Sequence, residues 1–336
     1  MNKLCRPLTL LVATLLAWTP PAMARTEVKM ATLAPDGSVW DKALKEMGGD
    51  WQRATGGDVV LRIYAGGIAG DEPDVVRKMR IGQLHAAALT TAGLSALDNA
   101  FEVFQLPMFF ASYDELFHVL EVLRPELEKR LFERGYVLLN WGHGGWVHLF
   151  SKRPVRTVED LRGMKLFTWS GDDTMFQIWR KEGFQPVALA TTDVMVALQT
   201  GMIDALPTTP LAALSLQWYR HTPYMQDLGV APLIGATVIS RRLWDKLAPE
   251  TRSKLRAAAL EVERKLEVQV PDQDRRAIEQ MKQRGLEVTV VGDDQLPAWR
   301  AFAERFAAQQ RQLIEAHDML DRLRQVRDAY RAGGGR

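Results

Sequence analysis

The histidines and carboxylates of this sequence are the side chains that could bind a metal ion. His143 and His148 are the closest pair of histidines, five residues apart across a Gly-Gly break, with no carboxylate at a ligand spacing. A protein zinc site gathers three or four such ligands in one place. We therefore interpret both histidines as polar residues of a loop or strand. The sequence predicts no metal site and no cofactor.

Motifs for phosphate binding and covalent catalysis are incomplete. The run "GGIAG" lacks the Gly-Lys-Ser/Thr of a phosphate loop, and "GLSAL" lacks the second glycine of a nucleophile elbow. The pair Asp172-Asp173 is interpreted as helix capping rather than as an acid/base dyad. No nucleophile, base and orienting partner form a set, so the sequence predicts no catalytic residue and no enzyme.

Aromatic side chains stand where predicted strands end. Phe167 and Trp169 close the run "GMKLFTW", and Trp141 and Trp146 flank the run "GHGG". In open α/β sheets the ligand crevice lies at the carboxyl ends of the strands. Aromatic rings at that place can cover the apolar body of a ligand. They can equally pack one lobe against the other, and both interpretations stay open here.

Strand and helix patterns alternate along the chain and predict an α/β fold with two lobes, of which the first is parallel. A strand over 136–141 is predicted to break at "GHGG" before a further strand over 147–150. A long helix that starts at Pro249, with Pro271 bending or ending it, is predicted to cross both lobes. The predicted segments are a signal peptide at 1–24, lobe I at 25–145 and about 233–270, lobe II at 146–232 and about 271–328, and a disordered tail at 329–336.

The N-terminal segment has the layout of a cleaved secretory signal peptide. Lys3 and Arg6 precede an apolar run over 8–18, and Ala22-Met23-Ala24 resembles a cleavage site. Cys5, the only cysteine, lies in this segment, so no disulfide and no thiolate nucleophile are expected in the mature chain. The sequence therefore predicts a soluble protein exported to a bacterial periplasm.

Charge gives no sign of a nucleic-acid partner. The sequence has 43 basic and 41 acidic residues, and removal of Lys3 and Arg6 with the signal peptide leaves 41 of each. Because the mature chain is balanced, nothing favours a polyanion as ligand.

Several motifs in a specific order resemble one known family. They are "LAPDGSVWDKAL", "GGIAGDEPDVVRKMRIGQL", "QLPMFF", "TVEDLRGMKLF" and "TTDVMVALQTGMIDAL". The chain resembles the substrate-binding subunit of a tripartite ATP-independent periplasmic (TRAP) transporter over nearly all of the mature sequence. This resemblance implies two periplasmic-binding-protein lobes, hinge strands and a long bracing helix. It also implies a small-molecule ligand between the lobes and delivery to the membrane permease subunits of the transporter.

The resemblance also shows where this sequence departs from the family. In typical members the strand written "GMKLF" here ends in an arginine that grips the carboxylate of the ligand, and that position is Phe167. A second arginine position falls near Trp146. Thr208 stands where asparagine is common, and Thr191 where an aromatic ring commonly packs on the ligand. We therefore predict a hydrophobic or amphipathic ligand.

The family also implies further ligand contacts by position. These are Trp40 after the first strand, Glu72 at the start of the second helix, Thr91 after the third strand, His143 at the hinge and Pro207 before Thr208. A subgroup with this pattern works with a periplasmic tetratricopeptide-repeat protein, which makes such a protein a candidate partner.

Two alternatives remain at this point. The protein binds a small organic acid through a displaced arginine such as Arg62 or Arg77, or it is a periplasmic scaffold or sensor that docks a partner protein.

Overall fold

The structure is a computed structural model that describes residues 25–335. The predicted signal peptide, residues 1–24, lies outside the described residues. The strands are β1 (Thr26–Thr32), β2 (Val59–Tyr64), β3 (Ala86–Thr90), β4 (Tyr136–Ser151), β5 (Lys165–Trp169), β6 (Gln185–Leu189), β7 (Ala205–Thr208), β8 (Tyr224–Gln226), β9 (Ala231–Ser240) and β10 (Glu287–Thr289).

The helices connect these strands and extend beyond them. They are α1 (Val39–Ala54), α2 (Glu72–Arg80), α3 (Thr91–Ser95), α4 (Tyr113–Glu133), α5 (Val158–Arg162), α6 (Asp173–Lys181), α7 (Val194–Thr200), α8 (Pro210–Ser215), α9 (Arg241–Trp244), α10 (Pro249–Lys282), α11 (Leu296–Leu313) and α12 (His317–Ala332). Short 3-10 helices span Asn99–Gln105, Thr191–Asp193 and Trp218–Arg220.

The strands form one mixed sheet in the order β2-β1-β3-β9-β4-β7-β5-β6, with β8 beside β4 and β10 beside β8. β1 is parallel to β2 and β3, and β5 is parallel to β6 and β7. β9 is antiparallel to both β3 and β4, so these two long strands join the parallel halves. The architecture confirms the predicted two-lobed α/β fold with hinge strands.

The hinge strand β4 is continuous, so the predicted break at "GHGG" is wrong. Gly145 has a φ of +105°, which favours glycine, and the register against β9 shifts between His143 and Gly145. Such a β-bulge bends a strand without ending it. The last part of β4, from His148 to Ser151, pairs with β7 in lobe II. Both lobes therefore share one strand at the predicted boundary.

Helix α10 confirms the predicted helix that spans both lobes. It does not end at Pro271 but continues to Lys282. Its buried stripe packs in a lobe I core that also holds residues of α1, and Met281 near its other end packs with Phe150 of lobe II. The members of that stripe are Leu255, Ala259, Val262 and Leu266.

Helix α12 corrects two of the predicted boundaries. The sequence assigned residues 271–328 to lobe II, but Leu320 and Leu323 of α12 lie fully buried in a lobe I core with Leu116 of α4. The amphipathic pattern of α12 indicates that one face is buried, yet it does not say which lobe covers that face. The helix also continues to Ala332, so the predicted tail is not disordered from residue 329.

Candidate functional site

Two adjoining cavities lie between the lobes, where the parallel strands end. The larger has a volume of about 170 Å³ and the smaller of about 90 Å³, and Thr90, Trp169 and Leu233 line both. Thr32 at the end of β1 and Thr208 at the end of β7 also face the larger cavity. The strand ends thus form a crevice at the place that the α/β architecture predicts.

Most of the residues predicted from the sequence to contact a ligand line these two cavities. Nine of the eleven do so, from both lobes. Those at the larger cavity are Trp40, Glu72, His143, Trp169, Thr191 and Thr208, and those at the smaller cavity are Thr91, Phe167, Trp169 and Pro207.

The end of β5 supplies an aromatic wall. The rings of Phe167 and Trp169 meet edge to face with their centroids 5.0 Å apart, and Phe167 is only 1% exposed. Thr168 between them is equally buried, and its hydroxyl has no hydrogen-bond partner among the described residues. Trp169 stands between the two cavities, so a ligand in either cavity would contact this wall.

Trp40 and His143 are held in place by backbone carbonyl groups. The Trp40 indole Nε1 donates to the His143 carbonyl at 3.0 Å. His143 Nε2 lies 3.0 Å from the Leu266 carbonyl oxygen of α10. A carbonyl can only accept, so Nε2 carries the proton. Burial lowers the pKa of His143 to about 4, which keeps the imidazole neutral at physiological pH.

Glu72 at the first turn of α2 closes one side of the larger cavity. Its carboxylate accepts hydrogen bonds from the Thr90 N–H and hydroxyl, both at 2.6 Å, and from the Gly93 N–H at 2.8 Å. These bonds satisfy the start of α3, where helix N–H groups lack partners. Burial raises the pKa of Glu72 to about 7. Glu72 therefore links two elements of lobe I and also lines the cavity.

Trp141 and Trp146 do not line either cavity, which corrects both predictions. The Trp146 ring packs edge to face against Tyr113 at 5.4 Å and covers Gly229. Trp141 is 3% exposed and packs against Phe101 in the core of lobe I. It also lines a separate cavity between α4 and α10, behind the hinge. Both tryptophans therefore have a packing role.

The two lobes touch each other at one side of the crevice. Asp71 Oδ2 of lobe I accepts a hydrogen bond from the Thr191 N–H of lobe II at 3.0 Å. A Cβ on Gly67 would stand 2.7 Å from the side chain of Thr192. Glycine is therefore required where lobe I meets this turn of lobe II.

The described lining of the crevice carries no cationic side chain. None of the residues that line the two cavities in the described part of the chain is a lysine or an arginine. Arg62 lies 3.8 Å from Glu27 and Arg77 lies 2.8 Å from Asp74, and both arginine side chains are mostly exposed. The two arginines proposed as displaced clamps therefore lie outside the crevice.

Residues 25–335 contain no group of three or more His, Cys, Asp or Glu side chains placed to hold a metal ion. Like His143, His148 is occupied by a backbone carbonyl, since its Nδ1 lies 2.9 Å from the oxygen of Gln226.

A family model described as bacterial extracellular solute-binding protein, family 7 (DctP), matches residues 30–312. The chain belongs to the DctP family. Known DctP-family proteins are substrate-binding proteins of TRAP transporters, which confirms that this chain is not an enzyme.

Individual relatives match at low identity over much of the chain. The sialic acid-binding periplasmic protein SiaP of Vibrio cholerae is 22% identical over 85% of this chain and 89% of SiaP. YiiZ of Salmonella typhimurium is 24% identical over 64% of this chain and 67% of YiiZ. A TRAP periplasmic solute-binding protein of Pseudomonas putida F1, solved with bound D-glucuronate, is 25% identical with a TM-score of 0.79, covering 88% of this chain and 96% of that chain.

Several residues of this DctP-family crevice were not predicted from the sequence. Asn140 of β4, Trp218 of a 3-10 helix and Leu266 of α10 line the larger cavity. Asn140 had a signal, because it is the one polar residue in the apolar run "YVLLNW". Trp218 and Leu266 had none, since their approach to the cavity depends on how distant elements pack.

No helix within residues 25–335 of this DctP-family protein is long and apolar enough to cross a membrane.

Proposed function

We propose that this DctP-family protein captures an apolar or amphipathic ligand between its lobes and delivers it to a TRAP-type membrane permease. One observation supports the ligand class. Both cavities are lined mainly by apolar side chains, and the described lining contains no arginine or lysine. Each Å² of apolar ligand surface removed from water contributes about 25 cal/mol to binding.

Closure of the lobes is the event that ligand binding controls. A ligand shifts the open and closed populations only by its preference for the closed state. Ligand contacts with Trp40 of lobe I and Trp169 of lobe II would supply this preference, because both residues line the same cavity. The permease would then receive the closed, loaded form.

The location follows from the predicted signal peptide and from the family. We propose export to the periplasm with cleavage after Ala24. The tetratricopeptide-repeat partner stays an untested prediction.

An organic acid is the competing ligand, and the relatives favour it. SiaP is named for sialic acid, and the Pseudomonas putida protein holds D-glucuronate. Isothermal titration with D-glucuronate and sialic acid separates the two proposals. We expect no binding of either acid in the micromolar range, because a buried carboxylate without a cation is disfavoured by several kcal/mol. Micromolar binding of a simple carboxylate would refute the apolar crevice.

Mass spectrometry identifies what the protein carries. The freshly purified full-length chain is denatured and its extract is compared with that of an unrelated periplasmic protein from the same cells. We expect an apolar or amphipathic small molecule that is enriched with this protein. If none is enriched and none binds on titration, the scaffold or sensor alternative is favoured.

A further inference from the structure

The lobes meet directly beside the larger cavity, where the loop before α2 of lobe I touches two turns of lobe II. A Cβ on Gly171 of lobe II would stand 3.1 Å from Pro73 of lobe I. On the same side of the crevice, Gly67 of lobe I approaches Thr192 of lobe II. These close approaches, together with the hydrogen bond between Asp71 and Thr191, are called the lobe contact below.

The hydrogen bond of the lobe contact satisfies a group that lobe II does not cap itself. Asp71 Oδ2 accepts from the Thr191 N–H at 3.0 Å. Thr191 begins the 3-10 helix Thr191–Asp193, and the residue before it is Ala190, whose side chain has no acceptor. N–H groups at the start of a helix lack partners within that helix. Lobe I therefore supplies the acceptor that the sequence of lobe II lacks at this place.

Asp71 can make this bond because its side chain does not cap its own helix. It stands at the N-cap of α2 with an extended backbone, where an Asp side chain ordinarily accepts from the second or third helical N–H. The second helical residue is Pro73, which has no N–H. The Asp71 side chain makes no capping bond to α2. Its carboxylate is used between the lobes instead.

Asp71 lies next to the ligand crevice without lining it. The residue after it, Glu72, lines the larger cavity, and so does Thr191. The described lining of the two cavities does not include Asp71. A substitution at Asp71 would therefore act on ligand binding through the positions of the lobes rather than through a contact with the ligand.

We infer that Asp71 is a positioning residue that holds lobe I against lobe II by accepting the Thr191 N–H of the other lobe. A bond that exists only when the lobes meet favours that state over the separated one. The inference rests on the proposed function only in that ligand binding brings the lobes together, and it does not depend on the class of ligand.

The bond requires an acceptor at position 71 but not a negative charge. Burial raises the pKa of Asp71, although its hydrogen bond with Thr191 acts in the opposite direction. Burial of the carboxylate therefore costs part of what the hydrogen bond contributes. An amide of the same shape keeps the acceptor and avoids that cost. Asp71→Asn should hold the lobes together at least as well as wild type, whereas Asp71→Leu should not.

Two spin labels, one on each lobe, test the inference. Cys5 lies in the predicted signal peptide, so the mature chain has no cysteine of its own. Labels are attached after Ile68→Cys in the loop before α2 and Val196→Cys in α7, because these side chains are 75% and 60% exposed. Electron paramagnetic resonance at neutral pH then gives the ratio of molecules with the lobes together to molecules with the lobes apart. The mature chain is measured with and without benzyl alcohol.

We expect Asp71→Leu to lower this ratio about tenfold, which corresponds to the loss of one hydrogen bond to a charged group. Asp71→Asn should keep or raise the ratio. Asp74→Ala is the matched control, because Asp74 lies in the same first turn of α2 but pairs with Arg77 of its own helix. Circular dichroism checks folding, and Asp71→Ala gives the same test if Asp71→Leu does not fold.

The outcomes separate this inference from the proposed ligand class. If Asp71→Leu keeps the wild-type ratio, or Asp74→Ala lowers it equally, the role of Asp71 is overturned while the apolar crevice stands. The role is also overturned if wild type never shows the short label distance, even with benzyl alcohol. If benzyl alcohol changes nothing in wild type but Asp71→Leu lowers the ratio, the role of Asp71 stands and the proposed ligand class is contradicted.

Discussion

Phe167 occupies the position where the resemblance to TRAP binding proteins implies an arginine. Its ring is 1% exposed and lines the smaller cavity beside Trp169. A phenyl ring contributes apolar area and shape, whereas a guanidinium contributes charge and paired hydrogen bonds to a carboxylate. At this position the crevice therefore offers a ligand apolar contact instead of an ion pair.

The variant Phe167→Arg should test the importance of this position. A guanidinium buried without a partner is expected to lower the free energy of unfolding by about 3 kcal/mol. An acid that pairs with the new charge should restore part of that loss. Thermal denaturation with and without D-glucuronate measures both effects, and Phe167→Leu is the matched uncharged control. A variant as stable as wild type would show that this side chain can leave the crevice.

The alternation of side chains explains why two tryptophans were placed wrongly. Trp141 and Trp146 are five residues apart, and an odd spacing puts residues on opposite faces of a regular strand. The bulge between His143 and Gly145 adds one residue, so both tryptophans pack on the α4 side. Phe167 and Trp169 were predictable because a strand end can be recognised locally. The bulge depends on Asp274, which is distant in sequence.

At the scale of the element, Asp274 holds the bulge of β4 in place. Its carboxylate accepts from the Trp146 N–H at 3.1 Å and from the Leu211 N–H at 2.9 Å. It thereby ties α10 to β4 and α8. Burial raises the pKa of Asp274 to about 7. A buried carboxylate on the helix that spans both lobes thus holds the hinge strand at its bulge.

Gly145→Ala should disrupt this hinge. The new Cβ would stand 2.6 Å from Asp274 Oδ2, and the φ of +105° is strained for alanine. We expect a loss of about 3 kcal/mol in the free energy of unfolding. Gly135→Ala is the matched control, because its φ is +91° but nothing lies near the added atom, and it should cost only about 1–2 kcal/mol. Equal losses in urea denaturation would contradict the role of the Asp274 contact.

A helix start can be recognised from the capping residue beside it in the sequence. Whether strand β4 continues through a glycine-rich run cannot be recognised in this way. The side chain of Asp172 accepts from the Met175 N–H at the start of α6, as the helix capping predicted for the Asp172-Asp173 pair requires. The run "GHGG" favours a loop when taken alone, because glycine weakens a strand. It remains a strand here since β9 pairs with Gly142, His143 and Gly145 of this run. The packing of α12 on lobe I likewise depends on tertiary contacts.

At the scale of the whole molecule, acidic groups face each other where the lobes meet. Glu102 of lobe I lies near Asp172, which caps α6 in lobe II and accepts from the Met175 N–H at 3.0 Å. Asp71, near Asp193, meets lobe II through the Thr191 N–H. Burial, followed by the charge of Asp172, raises the pKa of Glu102 to about 7. Burial also raises the pKa values of Asp71 and Asp172.

Lobe closure should therefore depend on pH. In the open form Glu102 loses the burial that lobe II supplies and is separated from Asp172, so its pKa should fall towards the ordinary value of 4.5. A pKa that is raised in the closed form means that closure takes up protons. The stabilisation of the closed form by proton uptake at Glu102 is complete below about pH 4.5. It is lost as the pH rises through about 7. His143, with a pKa of about 4, stays neutral across most of this window.

Ligand affinity should consequently rise as the pH is lowered from about 8 to about 5. Benzyl alcohol is a suitable probe because it does not ionise in this range, and isothermal titration at each pH measures its affinity. Glu102→Gln should flatten the dependence and strengthen binding at the upper pH, because the neutral amide removes the repulsion from Asp172. Glu304→Gln, at an exposed position of α11, should leave the dependence unchanged. If wild type and Glu102→Gln show the same slope, Glu102 does not link protons to closure.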